Sequence, residues 1–210
     1  MRYYCRSSLL LFCVVGLIPI GALAIGIAST TNEVGQSFET KDGTRLLEKV
    51  DLIVRNYQLG SIDPEPVTIY QHEVNAYIRL QLREQLPDGI NDPLVSLDTN
   101  GEISVQATID LSAVTRNRQP NQTDLFGRLN GQLLVAASGR LYTENRTGRV
   151  EIRSVTVGGI GVPLGILAEI VRYYSRSVEK PDGIDLFAPF ELPYGITEVN
   201  VTAERVVVIQ

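Results

Sequence analysis

The sequence predicts an α+β domain, and three observations carry that prediction. Apolar residues recur at helical spacing in three stretches, they alternate in several others, and turn signals separate the runs. With 210 residues and 44% hydrophobic content, the chain can fill one domain core and still carry an extension at one end.

The extension comes first. Arg2 and Arg6 precede residues 9–28, LLLFCVVGLIPIGALAIGIA, twenty residues without a charge. At about 1.5 Å per residue such a helix spans a hydrocarbon core of about 30 Å. Basic residues before it and none just after put the N-terminus in the cytoplasm and the remainder outside. Residues 1–28 are thus expected to be a signal anchor or a signal peptide, residues 29–37 a polar linker, and residues 38–210 a single extracytoplasmic domain. Ala22-Leu23-Ala24 and Gly26-Ile27-Ala28 offer small residues for cleavage, which would release a secreted domain. The length of the run favours a retained single-pass anchor in the cell membrane. Both cysteines, Cys5 and Cys13, fall in this segment, so the exported part has neither disulfide nor thiol chemistry. Without Arg2 and Arg6 it has 17 basic and 24 acidic residues, a net charge of −7 that disfavours nucleic acid as a partner.

The first helix pattern is the clearest. Leu46, Leu47, Val50, Ile53, Val54 and Tyr57 share one face, Arg45, Glu48, Lys49, Asp51 and Arg55 the other, and Gly60 marks the end. Residues 67–69 form a short strand leading to a second helix with Val74, Tyr77, Ile78 and Leu82 on its apolar face. Glu73 sits in its first turn and Pro87-Asp88-Gly89 stops it. Strands over 94–98 and 102–110 flank Asn100-Gly101, a hairpin signal, and Ile103, Val105, Ala107 and Ile109 alternate with polar residues. Residues 115–123 are a polar loop. A second hairpin over 132–142 and 149–157 is expected to turn through residues 144–148, and strands over 196–201 and 205–209 close the chain.

Residues 155–174, VTVGGIGVPLGILAEIVRYY, look like the organising element. The end of a strand breaks at Gly158, Gly159 and Gly161, and a third helix restarts at Pro163, where a missing N–H costs nothing. Leu164, Leu167, Ile170, Val171 and Tyr174 form its stripe, widened by Ile166.

No reaction is announced. The single histidine, His72, lacks the second histidine of an HExxH metal helix, and no serine sits in a G-x-S-x-G elbow. Gly158-Gly159-Ile160-Gly161 lacks the spacing and the lysine of a phosphate loop. The sequons at Asn121, Asn145 and Asn200 matter only in a eukaryotic secretory pathway. The chain is therefore expected to be no enzyme and to need neither cofactor nor metal.

Apolar surface remains. An apolar-ligand cavity is geometrically available between the second helix (Val74, Tyr77, Ile78), the third (Leu164, Leu167, Ile170, Val171, Tyr174) and the sheet. The alternative is that these faces fill one another. The segments VTIYQHEVNAYI (67–78), VGGIGVPLGILAEIVRYYSRSVEKPDGIDL (157–186) and FELPYGITEVNVTAERVVV (190–208) resemble uncharacterised bacterial exported proteins and, more distantly, YpmS-like and LmeA-like membrane-anchored proteins. The shared pattern is an E-[VL]-N-A-[YL] helix start at residues 73–77, a G-x-x-[VL]-P step at 159–163 and an L-P-x-x-[IV] strand entry at 192–196. The resemblance implies a curved antiparallel sheet wrapped around a long amphipathic helix, akin to the tubular lipid-binding (TULIP) architecture, and a lipid ligand at a membrane. A protein-interaction or scaffold module of a cell-envelope complex, with a filled core and an envelope protein as partner, is the alternative function.

Overall fold

The structure, a computed structural model, describes residues 35–83, 86, 89–99, 101–110, 131–176 and 181–210, and the side chains of 35–39, 170, 173 and 174 lie outside that description. The apolar run 9–28 and the polar loop 115–123 also lie outside it.

α1 (Gly35–Leu59) starts inside the stretch read as linker. Leu46, Ile53 and Val54 are buried while Arg45, Glu48, Asp51 and Arg55 face solvent, as the helical spacing predicts. Tyr57, expected on the buried face, is however 56% exposed, and Lys49, expected on the polar one, is half-buried against Glu73. Gly60, at φ 64°, ends it, and the Ser61 N–H donates back to the Asn56 carbonyl at 3.0 Å. β1 (Val67–Tyr70) runs directly into α2 (Gln71–Leu80). The Glu73 carboxylate caps that start by accepting the Tyr70 N–H at 2.9 Å.

β1 joins β8 (Glu198–Thr202) and β9 (Arg205–Ile209) in a three-stranded antiparallel sheet of order β1-β9-β8. Its register aligns Val67, Val208 and Val199 in one row and Ile69, Val206 and Val201 in another, on the face that packs into the core.

The remaining strands are β2 (Ile90–Leu97), β3 (Glu102–Asp110), β4 (Gln132–Glu144), β5 (Thr147–Val157), β6 (Ile160–Gly161) and β7 (Phe190–Glu191). They form a six-stranded antiparallel sheet ordered β2-β3-β4-β5-β6, with β7 also on β5. The β4–β5 hairpin is tighter than the five-residue turn expected from sequence. Pairing extends to Glu144 and Thr147, leaving only Asn145 and Arg146, at φ 48° and 67°, as the twist-matched two-residue turn. The glycine break is also a turn rather than a direct hinge into a helix. Gly158 and Gly159 have φ 59° and 81°, and β6 folds back on β5 before α3 (Leu164–Tyr174) begins.

The α+β class and the antiparallel pairing thus hold, but the strands divide between two sheets, and the sheet does not curl around a helix. The core also sits elsewhere than expected. It lies among α1, α2, the three-stranded sheet and the end of the large sheet that carries Leu97 and Leu141. α3, expected at the centre, contributes none of its described side chains to that core or to the layer packed on it. The reason is topological. β6 starts α3 from the far end of β5, and β5 is the strand α3 packs on, whereas α1 and α2 pack on each other.

Side chains join the parts where backbone ladders stop. From α2, Asn75 accepts the Val95 N–H at 2.8 Å and donates to the Val95 carbonyl at 2.9 Å, and Gln71 accepts the Leu97 N–H at 2.7 Å. Residues four apart on a helix thus satisfy residues two apart on the edge strand β2. The Thr143 hydroxyl of β4 accepts the Val199 N–H at 2.8 Å and donates to the Val199 carbonyl at 3.1 Å, docking the two sheets.

Candidate functional site

The register of the large sheet assembles an apolar face that no single strand shows. Reading across the strands, Ile90, Ile109 and Leu133 form one row, and Ala107, Val135, Val157 and Ile160 the next. Val95, Val105, Ala137 and Val155 follow, then Leu97 and Ile103, then Leu141 beside Val150. A bulge between Ser138 and Gly139 leaves Arg153 as an extra residue on β5, which keeps Ile152 and Val155 both on this face. The opposite face is wet. Ser96, Ser104, Ser138 and Ser154 line up across four strands there, with the Ser138 and Ser154 hydroxyls 2.9 Å apart.

The two ends of the apolar face differ. Val95, Leu97 and Leu141 are buried in the core, with Ile103, Val105 and Val150 packed on it. Ile90, Ala107, Ile109, Leu133, Val135 and Val157 are only half-buried and belong to no part of that core, and Ile160 is 75% exposed. The four residue steps from Val105 to Ile109 give this open end a length of about 13 Å.

The eight residues expected to line one cavity fall in two places. Val74, Tyr77 and Ile78 are buried in the core. Leu164, Leu167 and Val171 are half-buried on α3 and outside that core, while the side chains of Ile170 and Tyr174 lie outside the described residues. Burial pushes the Tyr77 hydroxyl above its ordinary pKa. The residues of the open sheet end, Ile90, Leu133, Val135 and Val157, were not singled out from sequence. Their alternation was visible strand by strand, but the pairing that stacks them is a long-range property.

Buried charge has a structural explanation. Glu73, 2% exposed, accepts two bonds from the Lys49 ammonium at 2.7 and 2.6 Å, besides the Tyr70 N–H. Lys49 lies 4.9 Å from the centre of the Tyr70 ring, which stacks on His72 at 5.5 Å. His72 Nε2 is 4.0 Å from Asp42, itself paired with Arg45 at 3.1 Å. The network clamps α1 to the start of α2. Its one buried carboxylate is fully engaged, and His72 is on the surface.

The described residues also form an open groove of about 540 Å³, lined by Thr143, Glu144, Asn145, Arg146, Thr197 and Glu198. Its lining is polar, unlike the apolar site expected. Among the described residues no group of His, Cys, Asp and Glu could hold a metal, and no helix is long and apolar enough to cross a membrane. Compared with protein-family models, curated proteins and solved structures, the chain matches none.

Proposed function

We propose that this chain is a membrane-anchored, extracytoplasmic, non-catalytic domain that binds a lipid or other apolar ligand on the open end of the large sheet's apolar face. The observation that carries the reading is the half-buried rows Ile90–Ile109–Leu133 and Ala107–Val135–Val157, which continue the packed core but lie beyond it. An acyl chain laid there gains about 0.8 kcal/mol for each methylene removed from water. α3, with Leu164, Leu167 and Val171 half-buried, supplies apolar surface from the same end of β5. A TULIP-like enclosure belongs to this proposal only as a lumen bounded by the uncurled sheet face, α3 and the ligand together.

The test is native mass spectrometry of the protein purified without added lipid, followed by organic extraction and titration with a fluorescent fatty acid. A discrete adduct that extracts as lipid, and uptake that Val135→Asp abolishes, are the expected results. A bare polypeptide mass together with no uptake would sink the proposal. The scaffold reading would then stand, favoured by the filled core between α1, α2 and the three-stranded sheet.

A further inference from the structure

A second apolar feature adjoins the sheet face, meeting it at Ile160 and sharing Leu164 and Leu167 with the proposed lumen. Residues 158–168, GGIGVPLGILA, contain no charged or polar side chain, yet none of the eleven is buried. Ile160 is 75% and Ile166 55% exposed, and a Cβ placed on Gly159, Gly161 or Gly165 would meet nothing within 4 Å. Elsewhere the chain is one-fifth charged, so an uninterrupted apolar surface segment of this length marks an apolar partner.

We infer that residues 158–168, the β5–β6 turn and the first turn of α3, insert into the interfacial region of a lipid bilayer. Three observations favour a bilayer over a protein partner. The segment offers no side-chain hydrogen-bonding group, whereas a protein interface carries a polar rim. The only charges on α3, Glu169 and Arg172, neutralise each other at 3.2 Å just beyond the segment. A bilayer is also close to the domain, since residues 9–28 match its hydrocarbon in length and the seven steps from Ala28 to Gly35 keep the start of α1 within about 25 Å of it. Docking places the open end of the sheet face next to the acyl chains. The inference rests on the membrane location proposed above and not on ligand binding.

The chain has no tryptophan, so a single introduced one reports its own surroundings. Full-length Ile166→Trp and Ile160→Trp are reconstituted in phosphatidylcholine vesicles with and without lipids brominated on the acyl chains. Leu134→Trp, at a 52% exposed position on the wet face of the sheet, is the control. Expected are a blue-shifted emission and strong quenching by brominated lipid at 160 and 166, unchanged by added salt or anionic lipid, and neither effect at 134. Emission at 160 and 166 as unquenched as at 134 overturns the inference. So does a blue shift that depends on protein concentration but not on lipid, which would mean that a second copy covers the segment. Fatty-acid uptake measured on the same samples separates the two proposals, because quenching without uptake retains docking and removes the ligand, and uptake without quenching does the reverse.

Discussion

The two ends of the large sheet's apolar face are built from the same residue types and are packed differently. At the β4–β5 turn end, Leu97 and Leu141 meet α1, α2 and the three-stranded sheet, and the polar groups around them are satisfied by Asn75, Gln71 and Thr143. At the other end, Ile109, Leu133, Val135 and Val157 continue the pattern half-buried, beside an α3 whose described side chains stay out of the core. Folding needs the first end. The second is half-buried outside that core, and it is the surface on which the proposed ligand would lie.

Substitutions should separate the ends, and the largest stability loss belongs to the filled one. Ile53 is fully buried, so Ile53→Ala should cost about 4 kcal/mol through lost transfer energy and the cavity left behind, read as a lowered urea midpoint. Lys49→Met comes next, at about 3 kcal/mol, because it leaves the Glu73 carboxylate buried with only the Tyr70 N–H. The double variant Lys49→Met/Glu73→Leu should recover most of that loss. If the double variant were no more stable than the single one, the clamp would not act as a pair.

The junction between helix and sheet ranks third. Asn75→Ala removes both bonds to Val95 and should cost about 2 kcal/mol, with light scattering rising as the β2 edge becomes available for pairing. At the open end the pattern reverses. Leu167→Asp, on half-exposed α3, should change stability by less than about 1 kcal/mol while abolishing fatty-acid uptake. A large loss of stability there would make α3 part of the packed core and erase the contrast between the ends.

How much of this the sequence discloses follows from the range of each interaction. α1, α2 and α3 were legible because helical spacing is local, and the β2–β3 and β4–β5 hairpins because short turns join adjacent strands. The two-residue turn at Asn145-Arg146 was blurred because a five-residue polar stretch does not show where pairing stops. The division into two sheets was hidden. β1 pairs with β9 across most of the chain, and nothing in Val67 or Val208 names the other. The same limit misplaced the core. The apolar residues of α3 recur at the same helical spacing as those of α2, and only the tertiary path from β6 decides that it lies against β5. Asn75 and Gln71 read as ordinary polar helix residues until the β2 edge is seen beside them.

The smallest effect is a pH dependence confined to the filled end. Burial raises the Tyr77 pKa in the folded protein above its ordinary value of about 10, so folding disfavours the phenolate. A raised folded-state pKa gives a contribution fully present below the unfolded value and lost as pH rises through the folded one. Tyr77 should therefore leave stability untouched at neutral pH and make it fall above about pH 10. Tyr77→Phe keeps the ring in the core and removes the titration, so urea midpoints of the two proteins should separate on going from pH 9 to pH 11, with the parent falling faster. Parallel curves would mean that the hydroxyl reaches water in the folded state, and the core at α2 would then be less closed than its neighbours Val74 and Ile78 make it.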